Sequence, residues 1–167
     1  VRKGTLRPFM EDRWPQGHRA SGFDAWASAT ESTEGGSGGD DEASRQGTDL
    51  FVGPLAYEAF FEPYVIVALA LCPRFDTALA GYGRNKALHA LQLHRCGARF
   101  WTSTVACLLH ATHPPSVDFR SAIGDAGRPA EPEGQRHLAA VKRRYALASA
   151  HLAAACSASA PPVSDVL

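Results

Sequence analysis

Apolar positions are unevenly distributed along this chain. From Phe60 the sequence reads FFEPYVIVALAL, and its centre, Val65-Ile66-Val67, is β-branched and apolar. Such a run predicts a strand covered on both faces. Pro63 carries no N–H, so it marks the strand's start or an edge. Pro73-Arg74-Phe75-Asp76 then turns the chain, and Gly81 and Gly83 frame Tyr82 in a tight loop. The spacing of Ala87, Leu88 and Leu91 predicts a helix over 85–96, with Arg84, Lys86 and Gln92 free to face water. Gly97 suits its C-terminal stop. Aromatic, Thr and Val residues between Ala98 and Leu109 predict one strand or two short ones. Pro114 and Pro115 force an extended exit. Residues 124–133 are rich in breakers and predict a loop. Leu138, Val141, Tyr145, Ala148 and Leu152 fall three and four apart, which predicts a final helix over 135–155.

The polar stretches divide the chain. Residues 1–26 mix Phe9, Trp14, Phe23 and Trp26 with Pro8, Pro15 and Gly17, and read as loop with short helical turns. They form the N-terminal part of the folded region. The run from Glu31 to Glu42 has no apolar residue, so it cannot offset the entropy of ordering it. Residues 27–49 are therefore expected to be a flexible, disordered polar insertion. Residues 50–155 form the C-terminal part of the folded region, and 156–167 a disordered tail. The fold class expected is α/β.

Composition narrows the function. Lys plus Arg number 17 and Asp plus Glu 17, a balance that argues against a nucleic-acid binder. No signal peptide is visible, and no apolar run approaches the roughly 20 residues of a bilayer span. Cys72, Cys96, Cys107 and Cys156 include no C-x-x-C pair, which argues against a zinc ribbon. The four cysteines permit two disulfides, and buried free thiols fit equally well.

Several residues could carry chemistry. His110 and His113 are expected to emerge at the C-terminal end of a strand, where ligands sit in open α/β sheets. Their imidazoles could bind a divalent cation or position a phosphate, or simply cap backbone groups. Asp76, before a glycine-framed turn, could act as a general base. Gly81 and Gly83 would allow close approach of a ligand, and Asn85 and Lys86 would open a helix whose amides favour anions. A plain turn, with Asn85 as N-cap, explains the same residues. Glu62 before Pro63 is a third candidate, with a surface carboxylate at a strand start as the favoured reading. Arg136, Lys142, Arg143 and Arg144 read as the solvated face of a helix. Asp40-Asp41-Glu42, set among Gly and Ser with no strand before it, reads as a solvated charge run rather than a metal motif. H-E-x-x-H does not occur.

Four ordered segments, GHRASGFDAW, FEPYVIV, PRFDTALAGYGRNKALHALQLHRCGARFW and LLHATHPPSVDFR, together resemble the LARGE-like and β-1,4-glucuronyltransferase-like enzymes of glycosyltransferase family 49. The matching residues include Gly17, His18, Ala20 and Trp26, then Glu62 to Val67, then Phe75-Asp76 and Gly81 to Lys86, then His110, His113, Pro115 and Ser116. The resemblance implies part of a GT-A-like domain, a mixed sheet with flanking helices. It implies a UDP-sugar donor, a glycan or glycoprotein acceptor, a divalent metal (usually Mn2+) and inversion at the anomeric carbon. Glucuronic acid and xylose are the sugars it suggests, and the Golgi lumen the compartment. On this resemblance Asp76 would be the base or an acceptor contact, a role the turn at Gly83 to Asn85 could fill instead, with His110 a metal ligand and Gly81, Tyr82, Gly83, Asn85, Lys86 and His113 substrate contacts. The family's Asp-x-Asp metal motif is absent, its Asp-Glu-Arg reads Asp76-Thr77-Ala78, and its Pro between the histidines is Thr112. The chain is therefore expected to be a fragment or the product of a shortened gene model, inactive as it stands. The alternative is a non-catalytic remnant that binds glycan or protein.

Overall fold

The computed structural model describes residues 7–10, 12–31, 50–80, 82–111, 113–124 and 127–155. Most of the expected insertion, the expected tail and Gly81 lie outside them. The chain divides into two compact units. Unit 1 comprises Val1–Glu58 and Arg99–His110, and unit 2 comprises Ala59–Ala98 and Ala111–Leu167.

Among the described residues, unit 1 holds two helices and an antiparallel pair of strands far apart in sequence. Helix α1 spans Pro15–His18, with Pro15 at the position where a missing N–H costs nothing. A 3-10 turn over Arg19–Ser21 ends at Gly22, whose φ of 68° is left-handed. Helix α2 spans Phe23–Glu31, and so extends into the stretch expected to begin the insertion. Strand β1 (Phe51–Leu55) pairs antiparallel with β2 (Phe100–Ser103), in register Phe51 with Ser103 and Val52 with Thr102. The ladder is irregular between Val52 and Leu55. Pro54 lies there and has no N–H to give to it. Trp26, Ala20 and Phe100 are buried, and the Thr102 hydroxyl donates to the Ser21 carbonyl at 2.7 Å. Arg19 and Glu58 form an exposed ion pair, with Nε 3.0 Å from Oε2. That pair holds the Glu58 carboxyl below its ordinary range, chiefly through its hydrogen bond.

Unit 2 is centred on α3 (Asn85–Arg95), which buries Ala87, Leu88, Ala90, Leu91 and Leu93. Its C-terminus has two capping bonds, Ala98 N–H to Leu93 O and Gly97 N–H to His94 O, both 3.0 Å. With Gly97 at φ 88°, this is a Schellman stop. Helix α4 (Val117–Ile123) begins where Ser116 Oγ accepts from Phe119 N–H at 3.1 Å. Helix α5 (Pro132–Ala155) packs against both α3 and α4, burying Val141 and Tyr145. At the α4–α5 contact Gly134 is buried, and a Cβ there would lie 2.3 Å from the Ser121 carbonyl oxygen.

The α/β class holds, with a smaller sheet than expected. Among the described residues the sheet has two antiparallel strands and is not mixed. The apolar run expected as a strand, Val65-Ile66-Val67, is extended but unpaired, and a 3-10 turn over Leu69–Leu71 ends it. Tyr64, Ile66, Leu69 and Leu71 are exposed, so the segment is not covered on both faces. Cys72 is half-buried, whereas Cys96 and Cys107 are exposed, not the buried thiols considered above. No helix among the described residues is long and apolar enough to cross a membrane.

Candidate functional site

The first turn of α3 gathers charge in unit 2. Arg84 occupies the N-cap position with φ 59°, and Phe60 has φ 70°. Left-handed backbone is uncommon for side chains of this bulk, and each such residue stores a little strain. These two meet. The Arg84 guanidinium lies 4.3 Å from the centre of the Phe60 ring and 5.1 Å from that of Tyr145. Arg84 and Phe60 are half-buried and Tyr145 is buried, and a contact of this kind contributes about 0.5–2 kcal/mol.

Lys86, one turn position away, has Nζ 3.9 Å from Glu62 Oε2 and 4.6 Å from the centre of the Tyr64 ring. Glu62 is mostly buried, and desolvation raises its carboxyl pKa above the ordinary value while Lys86 and Arg84 pull it down. Tyr82 is half-buried, edge-on to Phe119 with centroids 5.3 Å apart. Its phenol is also pushed up, first by burial and then by the Glu62 charge. Glu62, Tyr82, Arg84 and Lys86 thus form one electrostatic cluster. Two cations at the N-terminus of an eleven-residue helix can hold an anion, and a desolvated carboxyl beside them can exchange a proton. Glu62 is the residue sequence reasoning undervalued. The sequence offers it as a candidate by its place at the start of FEPYVIV, but favours a surface carboxylate there.

The other predicted residues are placed as follows. Asp76 is half-buried, and its Oδ1 accepts from Ala78 N–H at 2.8 Å, as in an Asx turn. Gly83 has φ 113°, a conformation suited to glycine. Asn85 lies inside α3, not at its N-cap, and its Oδ1 accepts from Lys86 N–H at 2.8 Å. Strand β2 ends at Ser103, so His110 does not sit at its exit. His110 belongs to unit 1, where its ring lies 4.2 Å from that of Phe9, which also meets His18 edge-on at 4.9 Å. His113 belongs to unit 2 and is exposed, its Nδ1 2.7 Å from the Pro114 carbonyl oxygen.

A divalent cation needs several convergent donors, mostly oxygen for a hard ion such as Mn2+. Among the described residues no three His, Cys, Asp or Glu side chains are grouped to hold one. The neighbour shown for His110 is an aromatic ring, so the described residues alone do not make the expected metal site.

Comparison with known proteins bears on this geometry. The family described as "Glycosyl-transferase for dystroglycan" matches residues 1–116. The xylosyl- and glucuronyltransferase LARGE1 of Mus musculus is 31% identical over 121 residues, which is 71% of this chain and 13% of that protein. The xylosyl- and glucuronyltransferase LARGE2 of Homo sapiens is 30% identical over 121 residues, 71% of this chain and 14% of that protein. The glycosyltransferase-like protein LARGE of Caenorhabditis elegans is 23% identical over 116 residues. The chain therefore spans only about a seventh of the length of such relatives. No solved structure matches it.

Proposed function

The chain belongs to the family described as "Glycosyl-transferase for dystroglycan", and from that premise we propose that it forms part of a domain that transfers glucuronic acid or xylose from a UDP-sugar to a glycan or glycoprotein acceptor, with inversion, in the Golgi lumen. The observation that carries this reading is the Glu62–Tyr82–Arg84–Lys86 cluster, which lies wholly within the matched residues. Arg84 and Lys86 offer positive charge to the diphosphate or to a sugar carboxylate. Gly81, Gly83 and Asn85 shape the approach, with Tyr82 and His113 as further substrate contacts.

In the transfer an acceptor oxygen bonds to the anomeric carbon as the bond to the diphosphate breaks. The acceptor proton passes to a carboxylate, which we assign to Asp76. One observation favours a second candidate for that role. Asp76 Oδ1 is engaged by a backbone N–H, whereas Glu62 has a raised pKa beside two cations. In this reading His110 would be one ligand of a divalent cation, which would supply positive charge to the departing diphosphate.

The experiment uses the protein that contains this chain, supplied with UDP-glucuronic acid or UDP-xylose, Mn2+ and a glycan acceptor. Replacing the true base, by Asp76→Asn or Glu62→Gln, should lower kcat by about 10²–10⁴-fold. Unchanged kcat in both variants would sink the assignment. Glycan binding without any sugar transfer by the parent protein would favour the non-catalytic remnant instead.

A further inference from the structure

A groove of about 350 Å3 in unit 2 runs between the extended Pro63–Val67 segment and α3. Tyr64, Val65, Val67 and Leu93 give it apolar walls, and Lys86 is its one lining cation among the described residues. Cys72, His89 and Phe75 also line it. Cys72 Sγ lies 3.8 Å from His89 Nε2. The Phe75 ring stacks on the imidazole, with centroids 4.1 Å apart and planes at 11°.

His89 is the unusual member. It is only 6% exposed, and its Nδ1 has no hydrogen-bond partner. Burying a ring nitrogen without a partner is unfavourable. Burial also pushes the His89 pKa down, so the ring is neutral near pH 7 and one nitrogen keeps a lone pair. A neutral imidazole within reach of a thiol is the arrangement that activates a cysteine towards sulfur electrophiles. Nothing in the proposed sugar transfer uses this pair.

We propose that Cys72 and His89 form a thiol-modification site that takes small apolar disulfides entering through the groove. Cys72 Sγ attacks one sulfur of the disulfide, and its proton moves to His89 Nε2. The old S–S bond breaks, the departing thiolate takes the proton from His89, and a mixed disulfide remains on Cys72. The site stands independently of the glycosyltransferase reading.

The test compares single-cysteine forms of the chain, one retaining Cys72 and one retaining the exposed Cys107. Each is treated with dithiodipyridine, an apolar aromatic disulfide, and release of the thiopyridone is followed by absorbance. Cys72 should react on the order of tenfold faster than Cys107 near neutral pH, a modest share of what a positioned base can supply. In the Cys72 form, His89→Gln should abolish that difference, provided circular dichroism shows the fold retained. If His89→Gln unfolds the chain, the comparison of Cys72 with Cys107 decides alone. Equal rates would overturn the proposal, as would a folded His89→Gln form that reacts as fast as its parent.

Discussion

Two neighbouring apolar stretches of unit 2 meet opposite fates. Helix α3 hides most of its apolar residues, with Leu88 only 1% exposed. The extended run before it leaves Tyr64, Ile66, Leu69 and Leu71 open to solvent. Hydrophobicity alone does not separate them. A helix closes its backbone hydrogen bonds internally and needs cover along one stripe, and α5 provides it. An extended chain must find its N–H and C=O partners on a neighbour, and no strand pairs with residues 61–68 among those described. The run still alternates as a strand does. Phe61 is buried and Val65 and Val67 half-buried, whereas Tyr64 and Ile66 face water. An apolar run therefore states a need for cover, and local structure decides whether the need can be met.

The largest test of this contrast is Leu88→Ala. It empties a site in the α3 packing and should destabilise unit 2 by about 2–5 kcal/mol, read from the urea midpoint. Next comes Glu62, which bridges the two stretches through Lys86. Its folded-state pKa is raised, so its contribution to stability is full below the ordinary value of 4.5 and is lost as pH rises through the raised value. Glu62→Gln should remove that loss, so its stability relative to the parent should improve from acid towards neutral pH. A constant difference across the titration would contradict the burial assigned to Glu62. The smallest effect is expected from Ile66→Lys, which should shift stability by less than about 0.5 kcal/mol because the side chain is already exposed. A loss comparable to that of Leu88→Ala would erase the contrast.

Elements held by local chemistry were the legible ones. Periodicity and Gly97 placed α3, because a helix and its Schellman stop are written within a few residues. Helix α5 begins at Pro132, ahead of the expected start at Gln135, since Pro is favoured at a first helical position and Glu133 suits the first turn. Strand β1 was missed because Gly53 and Pro54 look like breakers, yet its partner β2 accepts the irregularity. Helix α4 is short, and only the Ser116 cap announces it. The candidate site was legible in part. Tyr82 and Lys86 lie where the GYGRNK run put them, and Asp76 lies in the turn that Pro73 and its neighbours suggested. The role of Glu62 was not legible, because it depends on burial and on a helix far along the chain. His110 and His113, close in sequence, fall in different units, which spacing could not reveal.

Gly134 carries a consequence at the level of the gene. Its missing side chain lets α5 start against Ser121 of α4, where even one added carbon would collide with backbone. Every single-base change in a glycine codon that replaces the glycine with another amino acid introduces that carbon. No missense step at this codon is mild by chemistry, so mutation there acts as a wedge whatever residue it brings.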